Sequence, residues 1–347
     1  MVTSDSNIRH IFECSTTLAD IASSAFENFA ALENDKFKCS IAGKEKTCNT
    51  RDQMIQYLVN ECSEELCRNE LDAFAWIISK AQEYIRSDGV EGDPSAVSLR
   101  DVNRILLLFQ WFHDNLSDSG SKIPAVARAA VLALAHVYWY RLLESNHREG
   151  LWQVIAANSV QPVVSSVTFS CLTTSETLQA VVARAHTLFV ENLDVEEGVF
   201  MNQALSENVF VTIVCILNRI PCFIVGKPGT SKTLAVQVIE SNLQGAQSPK
   251  PFWRNYPAIN LFQYQCSPMS TTQSIKKQYD AAKASQEQSI GVITVLLLDE
   301  VGLAEYSPDM PLKVLHSMLV DPPIAIVGVS NWALDSSKMN RAILLQR

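Results

Sequence analysis

Gly226-Lys227-Pro228-Gly229-Thr230-Ser231-Lys232-Thr233 is the stretch on which the reading of the fold turns. The apolar run Cys222-Phe223-Ile224-Val225 precedes it and Leu234-Ala235-Val236 follows, so a glycine-containing loop joins a buried strand to the start of a helix. In such a loop, backbone N–H groups and the positive end of the helix surround phosphate oxygens, a lysine reaches the β and γ phosphates, and a hydroxyl coordinates Mg2+. Lys232 and Thr233 suit those two tasks, and the expected nucleotide-binding stretch runs from Gly226 through Leu234. The pattern G-x-x-x-x-G-K-[ST] has glycine at its sixth place, where this chain has Ser231. If that place requires φ > 0, serine costs roughly 1 kcal/mol or more there.

Further along, Val292-Ile293-Thr294-Val295-Leu296-Leu297-Leu298 runs straight into Asp299-Glu300, so a second strand delivers two carboxylates to the same sheet edge. Asp299 is expected to hold the water shell of Mg2+, and Glu300 to orient the attacking water and accept its proton. The plainer reading of Glu300 is a solvated acid at a strand end. The strand Ile324 to Ser330 ends in Asn331, which sets an amide beside the two acids if those strands are neighbours. Asn331 could then hold the lytic water or sense the γ phosphate; the alternative is a capping asparagine. Arg341 follows a polar turn and could reach a neighbouring subunit's nucleotide, where an arginine acting in trans stabilises transition-state charge; otherwise it is a surface arginine.

A chain of 347 residues, 47% hydrophobic and 19% charged, is long enough for two domains that each bury a core. The stretch Ile123 to Leu143 is interrupted by Arg128, His136 and Arg141 and opens at Pro124, which reads as a buried helix and not a membrane span. Met1 to Asn7 lacks the basic start and apolar core of a secretory signal. Nine cysteines, an odd number without C-x-x-C pairs, read as reduced thiols of a cytoplasmic protein. Net charge is −9, and residues 201–347 carry 12 Lys+Arg against 10 Asp+Glu, leaving 16 against 27 for the first 200. Neither part has the basic excess that neutralises a phosphate backbone, which argues against a nucleic-acid partner.

Apolar residues recur at helical spacing from about Arg51 to Arg86, and 99–116 and 123–145 read as two further helices. Residues 1–150 are therefore expected to form an all-helical domain. Residues 151–200 read as a connector, with a β-like patch at Val160 to Phe169, a helix from about Ser175 to Phe189 and a linker at 192–198. From Ala204 onward a helix leads into an α/β core, with strands expected at 222–225, 258–265, 292–298 and 324–330 and helices near 232–243, 271–288 and 309–319. Trp76, Trp111, Trp139 and Trp152, four of the six tryptophans, sit at mostly helical positions and read as core, not as a contact surface.

The order Lys232, Asp299-Glu300, Asn331, Arg341 is similar to that of an AAA+ ATPase, with its Walker A and Walker B elements. The surrounding text narrows the resemblance. Gln265-Cys266-Ser267-Pro268, Leu298 to Glu305, Ser307-Pro308, Met310-Pro311-Leu312-Lys313, Ser330 to Asp335 and Met339-Asn340-Arg341 closely resemble the mysterin family, giant RING-finger E3 ubiquitin ligases with a dynein-like AAA+ core. That family also tolerates serine where Ser231 stands. The resemblance is dense over 200–347 and thinner over 1–150. It implies the lid-like helical end of one AAA+ unit, a connector, and the large α/β subdomain of the next, at 201–347. It further implies ATP and Mg2+ as cofactors, neighbouring AAA+ units of one parent polypeptide as partners, and ubiquitin machinery reached through that parent. On this reading the last sheet strand, the unit's own lid and the RING domain are expected to lie outside the sequence. Two functions follow: ATP hydrolysis that drives conformational change, or a scaffold that binds ATP for stability and never splits it.

Overall fold

Three nearly uninterrupted apolar runs become the central strands of one sheet in the computed structural model, which describes residues 31–32, 36–41, 44–48, 68–87, 90, 97–116, 120–159 and 168–347. They are β4 (Cys222–Val225), β6 (Val292–Asp299) and β7 (Ala325–Ser330), each buried along almost its whole length. Strands buried on both faces need no polar alternation, which is why these segments read as continuous Val, Ile and Leu. β5 (Ala258–Gln265) is instead an edge strand, and its residues alternate toward solvent. The five-stranded sheet runs β5-β6-β7-β4-β8, all parallel, with β8 at Ile343–Gln346.

β8 corrects one expectation, since the last strand of the sheet is present in this chain. Ile343 pairs with Cys222 and Gln346 with Val225. In sequence it is a three-residue apolar run, Ile343-Leu344-Leu345, too short to signal a strand by itself. Pairing with β4 seats it at the edge of the sheet with Ile343, Leu344 and Leu345 buried, and that tertiary burial defines it.

The chain divides into two compact units: residues 1–138 with 146–181, and 139–145 with 182–347. In the second, α6 (Gln203–Leu217) precedes β4, α7 (Lys232–Asn242) follows it, and α8 (Thr272–Gln288) joins β5 to β6. The expected helix over 309–319 starts later, after the left-handed Met310 (φ 46°), with Pro311 at its first position, and runs as a 3-10 turn at Pro311–Val314 followed directly by one helical turn, α9 (Leu315–Met318). A last helical turn, α10 (Ser336–Met339), precedes β8.

The first unit carries α1 (Arg68–Arg86), α2 (Leu99–Asn115), α3 (Ala125–Leu134), α4 (Ser145–Ser159) and the start of α5 (Ser175–Glu191), and in its core the rings of Phe109 and Phe169 lie 5.2 and 6.0 Å from that of Phe74. α2 begins with a capping box: Ser98 accepts from the first turn, and Asp101 accepts from the Ser98 N–H at 2.6 Å. The expected single helix over 123–145 is shorter, α3 continued by a π-helical turn at Ala135–Trp139, and the chain then turns before α4 begins at Ser145. The all-helical expectation for residues 1–150 is likewise corrected by an antiparallel sheet of β1 (Ala31–Leu32), β2 (Lys36–Ile41) and β3 (Lys44–Cys48). β2 alternates polar and apolar residues, Lys36-Phe37-Lys38-Cys39-Ser40-Ile41, with the period of a strand, whereas β3, Lys44-Glu45-Lys46-Thr47-Cys48, carries no such alternation. The helical expectation over 51–67 and the β-like patch over 160–167 lie outside the described residues.

Candidate functional site

The phosphate loop leaves the C-terminal end of β4 between two neighbours, β7 and β8. Gly226 N–H donates to the Ser330 carbonyl at 3.1 Å, which ties the loop to the end of β7. A Cβ on Gly226 would lie 2.6 Å from the Arg347 Cβ, so only glycine lets the loop pass the end of β8. Gly229 has φ +86°, a turn conformation that glycine adopts without strain. Ser231, at the place where the motif asks for glycine, stands at φ +56°, ψ +31°. The left-handed conformation is therefore required there, and serine bears it.

Lys232 opens α7 and is buried; its Nζ donates to the carbonyls of Gly226 (2.7 Å) and Lys227 (2.9 Å) and lies 3.3 Å from Thr230 Oγ1. Burial pulls its ammonium below the ordinary lysine range, and the charges of Asp299 and Glu300 pull it back up. Thr233, one residue on, donates through Oγ1 to Asp299 Oδ1 at 3.4 Å. The fold thus brings together an amine, a hydroxyl and two acids from segments far apart in the chain. A hydroxyl and a carboxylate side by side, both hard oxygen donors, fit Mg2+, which takes few protein ligands and keeps several waters.

Glu300 begins a 3-10 turn (Val301–Tyr306) in a left-handed conformation, φ +49°, its N–H bonded to Asp299 Oδ1 at 2.9 Å. Gly302 makes this possible, because a Cβ there would lie 2.6 Å from Ser330 Oγ and 2.8 Å from the Trp332 indole. The turn after Glu300 is thereby pressed against the end of β7. Asn331 follows Ser330, and β7 lies between the strand of the acids and the strand of the phosphate loop. The neighbourhood on which its expected role depended is present.

Arg341 stands elsewhere. It precedes β8, whose first residue pairs with the first residue of β4, so it lies at the N-terminal edge of the sheet and the phosphate loop at the other. A four-residue strand separates the edges by roughly 13 Å. Near Arg341, burial first and then the charges of Arg341 and Lys338 hold the His316 imidazole below its ordinary range. Sequence reading gave no role to Gln265, whose Nε2 donates to Glu300 Oε2 at 2.9 Å. The register that sets Gln265 beside Asp299 exists only once β5 and β6 pair.

Parallel sheet, phosphate loop and strand-end acids together define an α/β nucleotide-binding core of the AAA type. Residues 198–347 match the family model described as the RNF213 AAA domain. The chain is similar to RNF213 proteins beyond that stretch as well. It is 33% identical over 323 residues, 85% of its length, to the human E3 ubiquitin-protein ligase RNF213, and 33% identical over 292 residues, 78% of its length, to the zebrafish (Danio rerio) E3 ubiquitin-protein ligase rnf213-beta. The chain spans about 6% of the length of each of these relatives. Among solved structures, Rhizobiales Trip13 is similar at 19% identity and a TM-score of 0.27, over 49% of this chain and 54% of that one, a likeness too slight to carry an argument.

Proposed function

We propose that the α/β unit binds ATP with Mg2+ and hydrolyses it, coupling nucleotide state to conformational change within a larger RNF213-like polypeptide. The observation that carries this reading is the Thr233 hydroxyl bonded to the Asp299 carboxylate, one residue from a buried lysine that lies in the field of both acids. Lys232 and the backbone of residues 226–234 hold the β and γ phosphates. Thr233 and Asp299 hold Mg2+, which when bound neutralises charge developing on the phosphate oxygens. Glu300 takes the proton of the attacking water through its carboxylate, one oxygen of which Gln265 already fixes. Asn331 orients that water or senses the γ phosphate. Arg341, at the far sheet edge, serves the nucleotide of an adjacent AAA+ unit and not its own.

Residues 1–150 are proposed as the lid-like end of a preceding AAA+ unit and 151–200 as a connector. The partners proposed are further AAA+ units and, through the parent protein, ubiquitin machinery; the proposed location is the cytoplasm. Glu300→Gln in the parent protein is expected to leave ATP bound and abolish turnover, and turnover that survives the substitution removes Glu300 from its role. The position of Arg341 also favours a second reading, a scaffold that holds ATP unsplit wherever no neighbour supplies an arginine. A single-turnover measurement separates the two: the scaffold retains ATP intact for hours.

A further inference from the structure

Asn208 is fully buried in α6, among Val209, Phe210, Val211 and Ile213, where an amide needs a reason to be. Its Nδ2 donates to the backbone oxygen of Thr230 in the phosphate loop at 3.1 Å. Its Oδ1 accepts from Nε of Arg347 at 2.7 Å. Arg347 is anchored in turn by Glu207, Nη1 to Oε2 at 2.6 Å, and Glu207 Oε1 accepts from Gln203 at 2.9 Å. Both side chains of the Arg347–Glu207 pair are nearly buried, at 6% and 8% exposure. A buried ion pair is a weak source of stability, because desolvation offsets its attraction; what it supplies well is fixed geometry.

The geometry fixed here is that of one peptide unit. A trans peptide is planar, with its carbonyl and N–H pointing in opposite directions. Drawing the Thr230 carbonyl onto Asn208 therefore turns the Ser231 N–H away from α6. The same bond restrains the residue that bears left-handed strain at φ +56°, a conformation that persists only where its surroundings over-determine it. We propose that Asn208 is a positioning residue for the phosphate loop: it clamps the Thr230–Ser231 peptide in its anion-binding orientation, and the Glu207–Arg347 pair fixes Asn208. This deepens the nucleotide reading above and rests on it.

The test uses the full 347-residue chain and a fluorescent ATP analogue with Mg2+. Asn208→Asp keeps the acceptor for Arg347 and removes the donor to Thr230. Its affinity for the analogue is expected to fall at least tenfold, while the melting temperature of the nucleotide-free protein stays close to that of the unaltered chain. Adding Ser231→Gly, which adopts the left-handed conformation without support, is expected to restore most of that affinity. Should Asn208→Asp not fold, Asn208→Ser is read in the same way. Unchanged affinity, a loss matched by an equal loss of nucleotide-free stability, or no rescue by Ser231→Gly each overturns the proposal. Failure is also distinguishable from failure of the parent reading. An unaltered chain that binds the analogue no better than Lys232→Ala removes the nucleotide site itself, whereas tight binding indifferent to Asn208 removes only the clamp.

Discussion

Ser231 and Glu300 both occupy left-handed backbone conformations that L residues avoid, and both flank the point where Thr233 meets Asp299. Ser231→Gly is expected to stabilise the nucleotide-free protein by up to about 1 kcal/mol, and Ser231→Val to destabilise it by roughly 1–2 kcal/mol, because a β-branched side chain clashes at positive φ. Equilibrium denaturant unfolding checks both, and a stabilising valine would contradict the backbone assignment. The Lys232, Thr233 and Asp299 positions were legible in sequence because spacing along one loop and one strand end is local information. The clamp residues were not: Asn208 and Glu207 meet Arg347 across 139 and 140 positions, and α6 reads simply as an apolar helix. Gln265 was visible only as part of the stretch Gln265-Cys266-Ser267-Pro268 that carries the resemblance, and its bond to Glu300 depends on strand pairing.

β7 passes close against β4. A Cβ on Gly328 would lie 2.1 Å from the Phe223 ring, which is buried at 1% exposure in the centre of the sheet. Gly328→Ala is expected to cost about 1–3 kcal/mol through overpacking, measured as a lower denaturation midpoint. β7 also carries Ser330, the acceptor for Gly226 N–H, so the same substitution is expected to weaken ATP-analogue binding. In the first unit, α2 depends on its N-terminal capping box, and Ser98→Ala is expected to cost about 1 kcal/mol in thermal or denaturant unfolding. Long central strands were read at or within one residue of their bounds, because a buried parallel strand is an unbroken apolar run. The short β8 and the largely polar β3 were not, because pairing and not composition makes them strands, while β2 carried a strand's alternation that the helical expectation for 1–150 passed over.

Across the whole molecule, pH and ligand act on the α/β unit through groups already placed. Burial pushes the Tyr256 phenol up to about 12 and, with help from Asp299, the Cys266 thiol up to about 12. Both groups ionise earlier in the unfolded chain, so their contribution to stability is fully present below about pH 9 and is lost as pH rises toward 12. Tyr256→Phe is expected to flatten that alkaline decline, as followed by unfolding at stepped pH. ATP at a hundred times its Kd is expected to add about 2.7 kcal/mol to the unit that carries the loop, visible by calorimetry as a shift of that transition. Among the described residues no helix is long and apolar enough to cross a membrane. By itself the sequence determined the phosphate loop, the strand-end acids, the parallel α/β class and the likeness to RNF213 proteins, since each is written in contiguous residues whose spacing and hydropathy are local properties. Only the tertiary structure decided the fifth strand, the far-edge position of Arg341 and the support of the phosphate loop by α6, because strand order, register and the meeting of distant polar groups arise when separate segments bury one another.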